Sequence, residues 1–559
     1  MSDVSRRDLL AAVAAVGIGN ATFNRAVVAS AAQPKLEAVT EEMVKGAEWV
    51  AGIELTEAER RAVAGTMTRT LQSVAAFHKL DITSADAPVF AFNPAPWDAP
   101  TGGRGKVDWR PKPAAAVRPD KDDDLAFLPL TQLARLMEQR QITSVELTKV
   151  YLARLKKYDP ALLCVVSLTE ELALKQAADA DKDIAAKKYR GPLHGIPWAA
   201  KDLIAYPGYK TTWGAGHFKE QEFKEKATVA ARLDDAGAVL SCKTTLGSLA
   251  WGDVWFGGTT RNPWYIKQGS SGSSAGTASA VAAGLVGFGL GSETHGSIVS
   301  PSTRCGVTGL RPTFGRVSRH GCMALGWTLD KIGPMCRSVE DCALVFGAIH
   351  GFDGKDASAH DRPFNWPSNP KFDELKVGFV EGGLAADDKK VLEGLGVKLV
   401  PIKLPYATAN QIISLILDVE SAASFDAVTR AGVKEGIGMW GPTFRRGRFI
   451  SAVDYITAQR ARALLMRDMA KATEGVDLHV GGNDLAITNL TGHPTVCLPN
   501  GFYKLGGAEV PKAITFTGKL YGESTLLAVA KAYQDATGHH LKRPPQETWV
   551  AEKKDDKKE

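Results

Sequence analysis

The sequence predicts a protein of the α/β class, because helical patterns alternate along the chain with short apolar runs interrupted by glycine. Residues 143–146 form a capping box that begins one helix, and residues 172–184 form an alanine-rich helical stretch. Short strands are predicted at residues 195–200 and 238–240. Of the 559 residues, 44% are apolar and 23% are charged, which is typical of a folded soluble protein rather than a disordered one.

The overall composition excludes several classes of function. A net charge of +6 is small for this length, so the sequence predicts no nucleic-acid partner. Seven cysteines, a sparse and odd set, do not fit a disulfide scaffold. Beyond the N-terminal region, no stretch approaches the roughly 18 uninterrupted apolar residues of a membrane span. We therefore expect a large soluble globular enzyme, whose oligomeric state the composition does not predict.

The first 31 residues predict an export signal. Residues 5–10 read Ser-Arg-Arg-Asp-Leu-Leu and resemble a twin-arginine motif, and an apolar stretch continues to residue 18. Residues 29–31, Ala-Ser-Ala, have the small side chains that a signal peptidase requires. The competing interpretation is an N-terminal helix that carries two arginines by chance. We expect a periplasmic or secreted protein after removal of residues 1–31, and a cytoplasmic one if this interpretation is wrong.

Three further segments are predicted around the main domain. Residues 32–93 are expected to form a small helical extension, in which a capping box at residues 56–59 precedes an apolar stripe from Val63 to Val74. Residues 94–124 are rich in proline and glycine and predict a linker. The main domain is predicted at residues 125–546, and residues 547–559 are predicted to form a charged tail.

The centre of the sequence carries the residues best suited to chemistry. Residues 269–297 predict a loop of glycines and serines, an Ala/Val helix, a glycine-spaced strand and a second turn that ends at Ser297. Because a crossover helix returns the chain beside its start, we expect the two serine-bearing turns to meet. Upstream, Lys201 ends an apolar run. Burial there would lower its pKa and leave the amine partly neutral, as a general base must be.

Eight separated blocks, taken in order, resemble the amidase signature enzymes over about residues 125–545. These blocks are residues 191–202, 260–264, 272–276, 296–298, 305–313, 329–335, 489–494 and 537–540. The resemblance implies the amidase signature fold, with a central mixed β-sheet flanked by helices on both faces. It also implies hydrolysis of a carboxylic amide bond.

The resemblance further implies a Ser–Ser–Lys triad in which a cis peptide bond precedes the bridging serine. Lys201 matches the lysine of the family and Ser297 matches the nucleophile. Four serines of the loop are candidates for the bridge: Ser270, Ser271, Ser273 and Ser274. An alignment without gaps, read back from Ser297, selects Ser273.

The implied chemistry explains why these residue types are required. Ser297 Oγ would attack the amide carbonyl while Ser273 passes its proton to neutral Lys201, since a hydroxyl both donates and accepts. The oxyanion would be bound by the backbone N–H groups of four consecutive residues, Thr294, His295, Gly296 and Ser297. Water would then hydrolyse the acyl-enzyme. This chemistry requires neither a metal nor another cofactor, and its expected partner is a small-molecule amide.

The sequence also departs from the family pattern near the nucleophile. The family usually has Asp where Glu293 stands, Gly where His295 stands, Arg where Val299 stands and Phe where Arg304 stands. Without an arginine at position 299, the acidic residue lacks its expected partner, for which Arg304 is one substitute. His295 is expected to reshape the rim of the pocket.

Other interpretations compete with a free-standing amidase. The transfer-RNA-dependent glutamine amidotransferase subunit shares this domain, but the export signal and the absence of a basic stripe argue against it. A non-catalytic binding protein is disfavoured by the intact Lys201, Ser273 and Ser297. Residues 272–276 also fit the nucleophile elbow of α/β-hydrolases with Ser274 as the nucleophile. An elbow follows a buried strand, however, and residues 264–268 predict a loop.

Three aromatic residues lie in the sequence just before the serine-rich loop. For Trp251, Trp255 and Phe256 the sequence favours packing in the core over a position in an acyl pocket.

Overall fold

The computed structural model of the protein describes residues 38–77, 80, 103–109, 116–482 and 484–549. The predicted export signal therefore lies outside the described residues, as do most of the charged tail and much of the predicted linker.

The described part of the chain contains fifteen strands. In chain order they are β1 Val165–Leu168, β2 Pro197–Lys201, β3 Val239–Thr244, β4 Val254–Trp255, β5 Gly258–Thr259, β6 Arg261–Asn262, β7 Tyr265–Gly269, β8 Phe288–Glu293, β9 Thr308–Arg311, β10 Lys331–Cys336, β11 Lys376–Val380, β12 Lys398–Ile402, β13 Leu478–Val480, β14 Thr495–Leu505 and β15 Ala508–Gly518.

Eleven of these strands form one central sheet, in the order β1-β3-β2-β8-β10-β9-β14-β15-β13-β11-β12. The sheet is mixed: β2 pairs in parallel with β3 and β8, whereas β10 pairs antiparallel with β8 and β9. The four remaining strands form two small ribbons, β4–β5 and β6–β7. The predicted α/β class and mixed sheet are confirmed.

Seventeen α-helices accompany the strands in the described residues, and those of the main domain flank the sheet. They are α1 Glu41–Ala51, α2 Glu57–Phe77, α3 Asp122–Leu125, α4 Leu130–Glu138, α5 Ser144–Leu162, α6 Glu170–Ala185, α7 Thr228–Asp235, α8 Ala275–Ala282, α9 Val299–Cys305, α10 Val339–Ile349, α11 Ala386–Gly394, α12 Ala409–Ser424, α13 Asp426–Arg430, α14 Trp440–Gly447, α15 Ala452–Thr473, α16 Leu485–Thr491 and α17 Glu523–Thr537. None of the described helices combines the length and apolar character needed to cross a bilayer.

The middle of the sheet is buried on both faces. All five residues of β2 are buried, as expected for a strand between two parallel neighbours that is covered by helices. The Trp198 ring stacks on Phe288 of β8 with 6.2 Å between centroids. Lys201, the last residue of β2, is also fully buried, at 0% exposed.

The helix α8 lies unusually close to its neighbours because its residues are small. All eight of them are buried. A Cβ atom at Gly276 would overlap the carbonyl oxygen of Cys164 and the backbone nitrogen of Thr245, so glycine is required for this approach. The N-terminal end of α8, which carries the serine-rich loop, is thereby fixed against the sheet.

Within the predicted helical extension the structure describes α1 and α2, which pack on each other, and α2 also packs on α14 and α15. The predicted capping box begins α2: Thr56 N donates to Glu59 Oε2 at 2.8 Å, and Glu59 N donates to Thr56 Oγ1 at 3.4 Å. The start and the end of the predicted stripe, Val63 and Val74, are buried. An ion pair of 3.3 Å between Glu59 and Arg445 of α14 ties the extension to the main domain.

Candidate active site

The sheet brings three chain segments to one edge. The parallel strands β2 and β8 are neighbours, and both end at this edge, where Lys201 ends β2 and Ser297 follows β8. Ser273 stands just before α8. The two serine-bearing turns meet as predicted, because Ser274 N donates to the carbonyl oxygen of Ser297 at 3.1 Å.

The amine of Lys201 lies within a group of serine oxygens. Its Nζ is 2.8 Å from Ser273 Oγ, 2.9 Å from Ser292 Oγ and 3.1 Å from Ser274 Oγ. The Gly272–Ser273 peptide bond is cis, as the family resemblance implies. The structure therefore brings the predicted lysine and the predicted bridging serine into direct contact.

Burial changes the charge of this lysine. Desolvation lowers the pKa of Lys201 to about 7, although the charges of Asp330 and Glu293 oppose the shift. About half of the amine is therefore neutral near pH 7. A neutral amine has a lone pair and can accept a proton from Ser273.

Ser297 lies at the end of a short turn between β8 and α9 and is half-buried. Gly296 has φ +86°, a conformation that side chains other than glycine adopt at a cost. The start of the turn is fixed by Thr294, whose Oγ1 donates to Asp330 Oδ1 at 2.6 Å. The four residues predicted to bind an oxyanion are the ones that form this turn.

The carboxylate of Glu293 holds the backbone that directly follows the nucleophile Ser297. Its Oε2 accepts the N–H groups of Ile298 and Val299, at 2.8 and 3.0 Å, which are the two residues after Ser297. Its Oε1 accepts from Arg311 Nη1 at 2.7 Å and from Asn489 Nδ2 at 2.8 Å. Burial alone would raise the pKa of Glu293, but the charges of Arg311 and Lys331 and the hydrogen bonds from Arg311 and the Val299 N–H lower it to about 2.

The structure does not support the expectation that Arg304 replaces the missing arginine at position 299 as the partner of Glu293. Arg304 does not contact Glu293; its Nη1 donates to the carbonyl oxygen of Gly269 at 3.3 Å. The buried partner is Arg311 of β9. The His295 side chain is exposed, which fits the expected position at the pocket rim.

Sequence reasoning missed most of the residues that surround the amine and the nucleophile. Arg311 and Asn489 both lie in blocks that resemble the family, but no role was assigned to either of them. Asp330 also lies in such a block, residues 329–335, without an assigned role, whereas Ser292 lies outside the blocks. The available signal was the position of Arg311, Asp330 and Asn489 within those blocks.

The other serines of the loop have different surroundings. Ser270 Oγ donates to the carbonyl oxygen of Ser271 at 2.9 Å, and Ser271 N donates to Asp253 Oδ2 at 2.8 Å. Ser274 is fully buried, whereas the nucleophile of an elbow is exposed at the top of its turn.

The loop prediction for residues 264–268 was wrong, because β7 covers most of them. This strand is half-buried and belongs to a two-stranded ribbon.

Two of the three aromatic residues before the serine-rich loop are exposed, so the prediction of core packing was wrong for Trp251 and Phe256, whereas Trp255 is partly buried. Trp251 is 51% exposed and Phe256 is 46% exposed. The Trp251 ring lies edge-on to the buried Trp440 at 5.1 Å, and Trp255 packs on Phe256 at 4.8 Å.

Several known proteins are similar to this chain in sequence and fold. A family model described as Amidase matches residues 146–481. A glutamyl-tRNA(Gln) amidotransferase subunit of Marinomonas sp. (strain MWYL1) is 33% identical over 482 residues, which cover 74% of this chain and 98% of that protein. The same subunit of Methylococcus capsulatus is 33% identical over 481 residues, with the same coverage of both chains.

A solved structure is similar over the same share of the chain. The native peptide amidase from Stenotrophomonas maltophilia has a TM-score of 0.66 and 29% sequence identity, covering 75% of this chain and 98% of the peptide amidase. The protein therefore belongs to the amidase signature family. It is an enzyme of the class that acts on the carbon–nitrogen bonds of amides.

Proposed function

We propose that the protein is an amidase that hydrolyses a carboxylic amide bond through Lys201, Ser273 and Ser297, with an acyl-enzyme intermediate. The observation that carries the proposal is the buried amine of Lys201, 2.8 Å from the hydroxyl of Ser273. The turn that carries Ser273 is also hydrogen-bonded to Ser297, because the N–H of the next residue, Ser274, donates to the Ser297 carbonyl oxygen.

Acylation begins at Ser297. Its Oγ attacks the carbonyl carbon of the amide, its proton passes to Ser273 Oγ, and the proton of Ser273 passes to Lys201 Nζ. The tetrahedral oxyanion accepts hydrogen bonds from backbone N–H groups of residues 294–297. Such donors contribute roughly 3–4 kcal/mol each when they are well placed.

The same path then runs in the opposite direction. As the carbon–nitrogen bond breaks, the leaving nitrogen takes a proton from Ser273, which is replenished by the ammonium of Lys201. Water replaces the amine and attacks the acyl-enzyme, and its proton follows the relay to Lys201. The carboxylic acid leaves when Ser297 Oγ recovers a proton, which restores the starting state.

The surroundings support this cycle electrostatically. Lys201 becomes positively charged during attack, and the nearby carboxylates of Asp330 and Glu293 stabilise that charge. Glu293 holds the backbone directly after Ser297, so that the nucleophile keeps its position during the cycle.

The test is hydrolysis of a panel of simple amides, peptide amides and N-acyl amines by purified protein. We expect turnover by the wild type and a loss of at least about 1,000-fold in Ser297→Ala, Ser273→Ala and Lys201→Ala. Ser270→Ala is the matched control: it removes a hydroxyl from the same loop that does not contact Lys201 and should keep its activity. Full activity in Ser297→Ala would contradict the proposal.

A second candidate function is the transfer-RNA-dependent glutamine amidotransferase subunit. The relatives of this name, 33% identical over nearly their whole length, favour it. The assay is release of ammonia from glutamine, with and without glutamyl-charged transfer RNA. A free-standing amidase hydrolyses its amides without transfer RNA, whereas strict dependence on transfer RNA would establish the second candidate.

The N-terminal sequence supports an exported enzyme. Residues 1–31 have the order of arginine pair, apolar run and small residues that is typical of twin-arginine signals. We expect N-terminal sequencing of periplasmic protein to begin after residue 31. Protein that starts at Met1 and remains in the cytosol would contradict export.

A further inference from the structure

One chain segment, residues 321–327, joins the two sides of the proposed active site. At its start, Ala205 N donates to the carbonyl oxygen of Gly321 at 3.0 Å, and Met323 N donates to that of Leu203 at 3.1 Å. The segment therefore runs beside the residues that directly follow Lys201.

The end of the same segment reaches the turn before Ser297. The backbone N–H groups of Leu325 and Gly326 donate to Asp330 Oδ2, at 2.8 and 3.0 Å. The other oxygen of Asp330 accepts from Thr294, at the start of that turn. The segment is therefore linked by hydrogen bonds to the residues that follow Lys201 and, through Asp330, to the turn before Ser297.

A cavity of about 480 Å³ opens against one side of this segment, and we call it the aromatic cavity. Met323 and Trp327 line it on the segment's side, and Trp213, Phe223 and Phe425 line it on the other. The Trp213 ring is stacked with Phe223 at 5.9 Å and lies edge-on to Phe425, also at 5.9 Å. Its volume lies within the range of small-molecule sites.

The walls of the aromatic cavity are held in place from behind. Phe425 stacks on Phe444 of α14 with 5.0 Å between ring centroids, and Phe444 stacks on the buried Trp440. A preformed aromatic wall loses little conformational entropy when a ring binds, and ring pairs favour offset or edge-on contacts at such distances. Trp327, on the opposite side, is 48% exposed and would lose water contact when a ligand binds.

A larger cavity of about 880 Å³ lies on the other side of the same segment. Its polar wall includes Arg319 and Asp356, which neutralise each other through hydrogen bonds of 2.9 and 3.1 Å. Residues 321–324 and Trp327 line both cavities, so the two spaces share this segment as a wall.

We propose that the amide substrate carries an aromatic ring, which binds in the aromatic cavity between Trp327 and the wall formed by Trp213, Phe223 and Phe425. This inference rests on the proposed amidase function and adds the chemical class of its substrate. The ring can belong to the acyl side or to the amine side of the amide, and the experiment separates the two.

The experiment compares kcat/KM for two matched pairs of amides. Phenylacetamide against propionamide tests a ring on the acyl side, and N-benzylacetamide against N-ethylacetamide, which both release an alkylamine, tests a ring on the amine side. We expect the aromatic member of at least one pair to be favoured about 10-fold to 100-fold, which is the value of burying one ring. An absence of preference in both pairs would overturn the inference.

Two variants tie the preference to the aromatic cavity. Trp327→Ala and Phe223→Leu should raise KM for the favoured aromatic amide about 10-fold and leave kcat/KM for its aliphatic counterpart within about twofold. Trp49→Ala is the matched control, because Trp49 is 55% exposed on α1 and does not line the cavity. An unchanged preference in both cavity variants would overturn the inference.

A binding measurement separates this inference from the proposed function. Titration of the Ser297→Ala protein with the favoured aromatic amide should quench the tryptophan fluorescence of the protein and report binding. Adding the Trp327→Ala substitution should weaken that binding about 10-fold. Quenching that Trp327→Ala leaves unchanged would overturn the inference. Aromatic binding without any amide turnover by the wild type would instead contradict the proposed amidase function.

Discussion

The pH dependence of turnover tests the role of Lys201. A lysine in water has a pKa near 10.5, so that only about one amine in 3,000 is neutral at pH 7. Burial lowers the pKa of Lys201 to about 7, which makes about half of the amines neutral at that pH. Lowering the pKa from 10.5 to about 7 corresponds to about 5 kcal/mol of destabilisation of the charged form.

The expected profile follows from this shift. The value of kcat/KM should fall about tenfold per pH unit below pH 7, because protonated Lys201 cannot accept a proton, and should level off above it. Lys201→Arg should be inactive across the range, because a guanidinium stays protonated. The assay is kcat/KM between about pH 5 and about pH 9, with thermal unfolding followed at each pH.

Unfolding does not produce the same profile. The pKa of Lys201 is lower in the folded state than in the unfolded state, so its burial costs stability increasingly as pH falls from about 10.5 to about 7. Below pH 7 that cost is constant, since both states are then protonated. A flat activity profile between pH 5 and pH 8, or activity in Lys201→Arg, would refute the role of Lys201 as the base.

Three further predictions concern the positioning of the nucleophile and the stability of the fold. Glu293→Gln should reduce kcat more than tenfold and stability by about 3–5 kcal/mol, because it leaves Arg311 buried without a counter-charge. Gly276→Ala should lower the free energy of unfolding by more than about 2 kcal/mol, because its Cβ overlaps the Cys164 carbonyl. Gly65→Ala in α2 should raise it by up to about 1 kcal/mol, because a Cβ there meets open space. Urea unfolding and amide turnover measure all three.

The controls and contrary results for these variants are specific. Glu435→Gln changes an exposed carboxylate and should alter neither kcat nor stability. Wild-type kcat in Glu293→Gln would contradict the positioning of Ser297 by its carboxylate. Gly65→Ala is the matched control for Gly276→Ala, and equal effects of the two alanines would contradict the close approach of α8.

The elements predicted with most success were those with local causes. The capping box at residues 56–59 and the burial of Val63 and Val74 depend on neighbours three or four residues apart, which a sequence displays directly. The contact between Lys201 and Ser273 could be predicted because each lies in a distinctive block, although 72 residues separate them.

The partner of Glu293 could not be predicted in this way. Arg304 and Arg311 are both plausible from sequence distance, and only the pairing of β9 within the sheet places Arg311 beside the carboxylate. Asn489 reaches the same carboxylate from α16, 196 residues away. Such a network depends on how the strands are ordered, and the sequence pattern does not contain that order.

The aromatic residues show the same limit. Large aromatic side chains are mostly buried in proteins, so the sequence favoured the core for Trp251 and Phe256. Their actual exposure depends on how the loop before the serine-rich segment passes over the domain surface. Trp327, which lines the aromatic cavity, had no sequence signal at all.

The most direct test of the central claim is to identify the nucleophilic atom, which a fluorophosphonate phosphonylates with loss of fluoride. Purified protein would be treated with a fluorophosphonate, digested, and mapped by mass spectrometry. The geometry predicts one adduct, on Ser297, whose formation slows strongly in Lys201→Arg and is lost in Ser297→Ala. An adduct on Ser273 or Ser274, or labelling that persists in Ser297→Ala, would contradict Ser297 as the nucleophile.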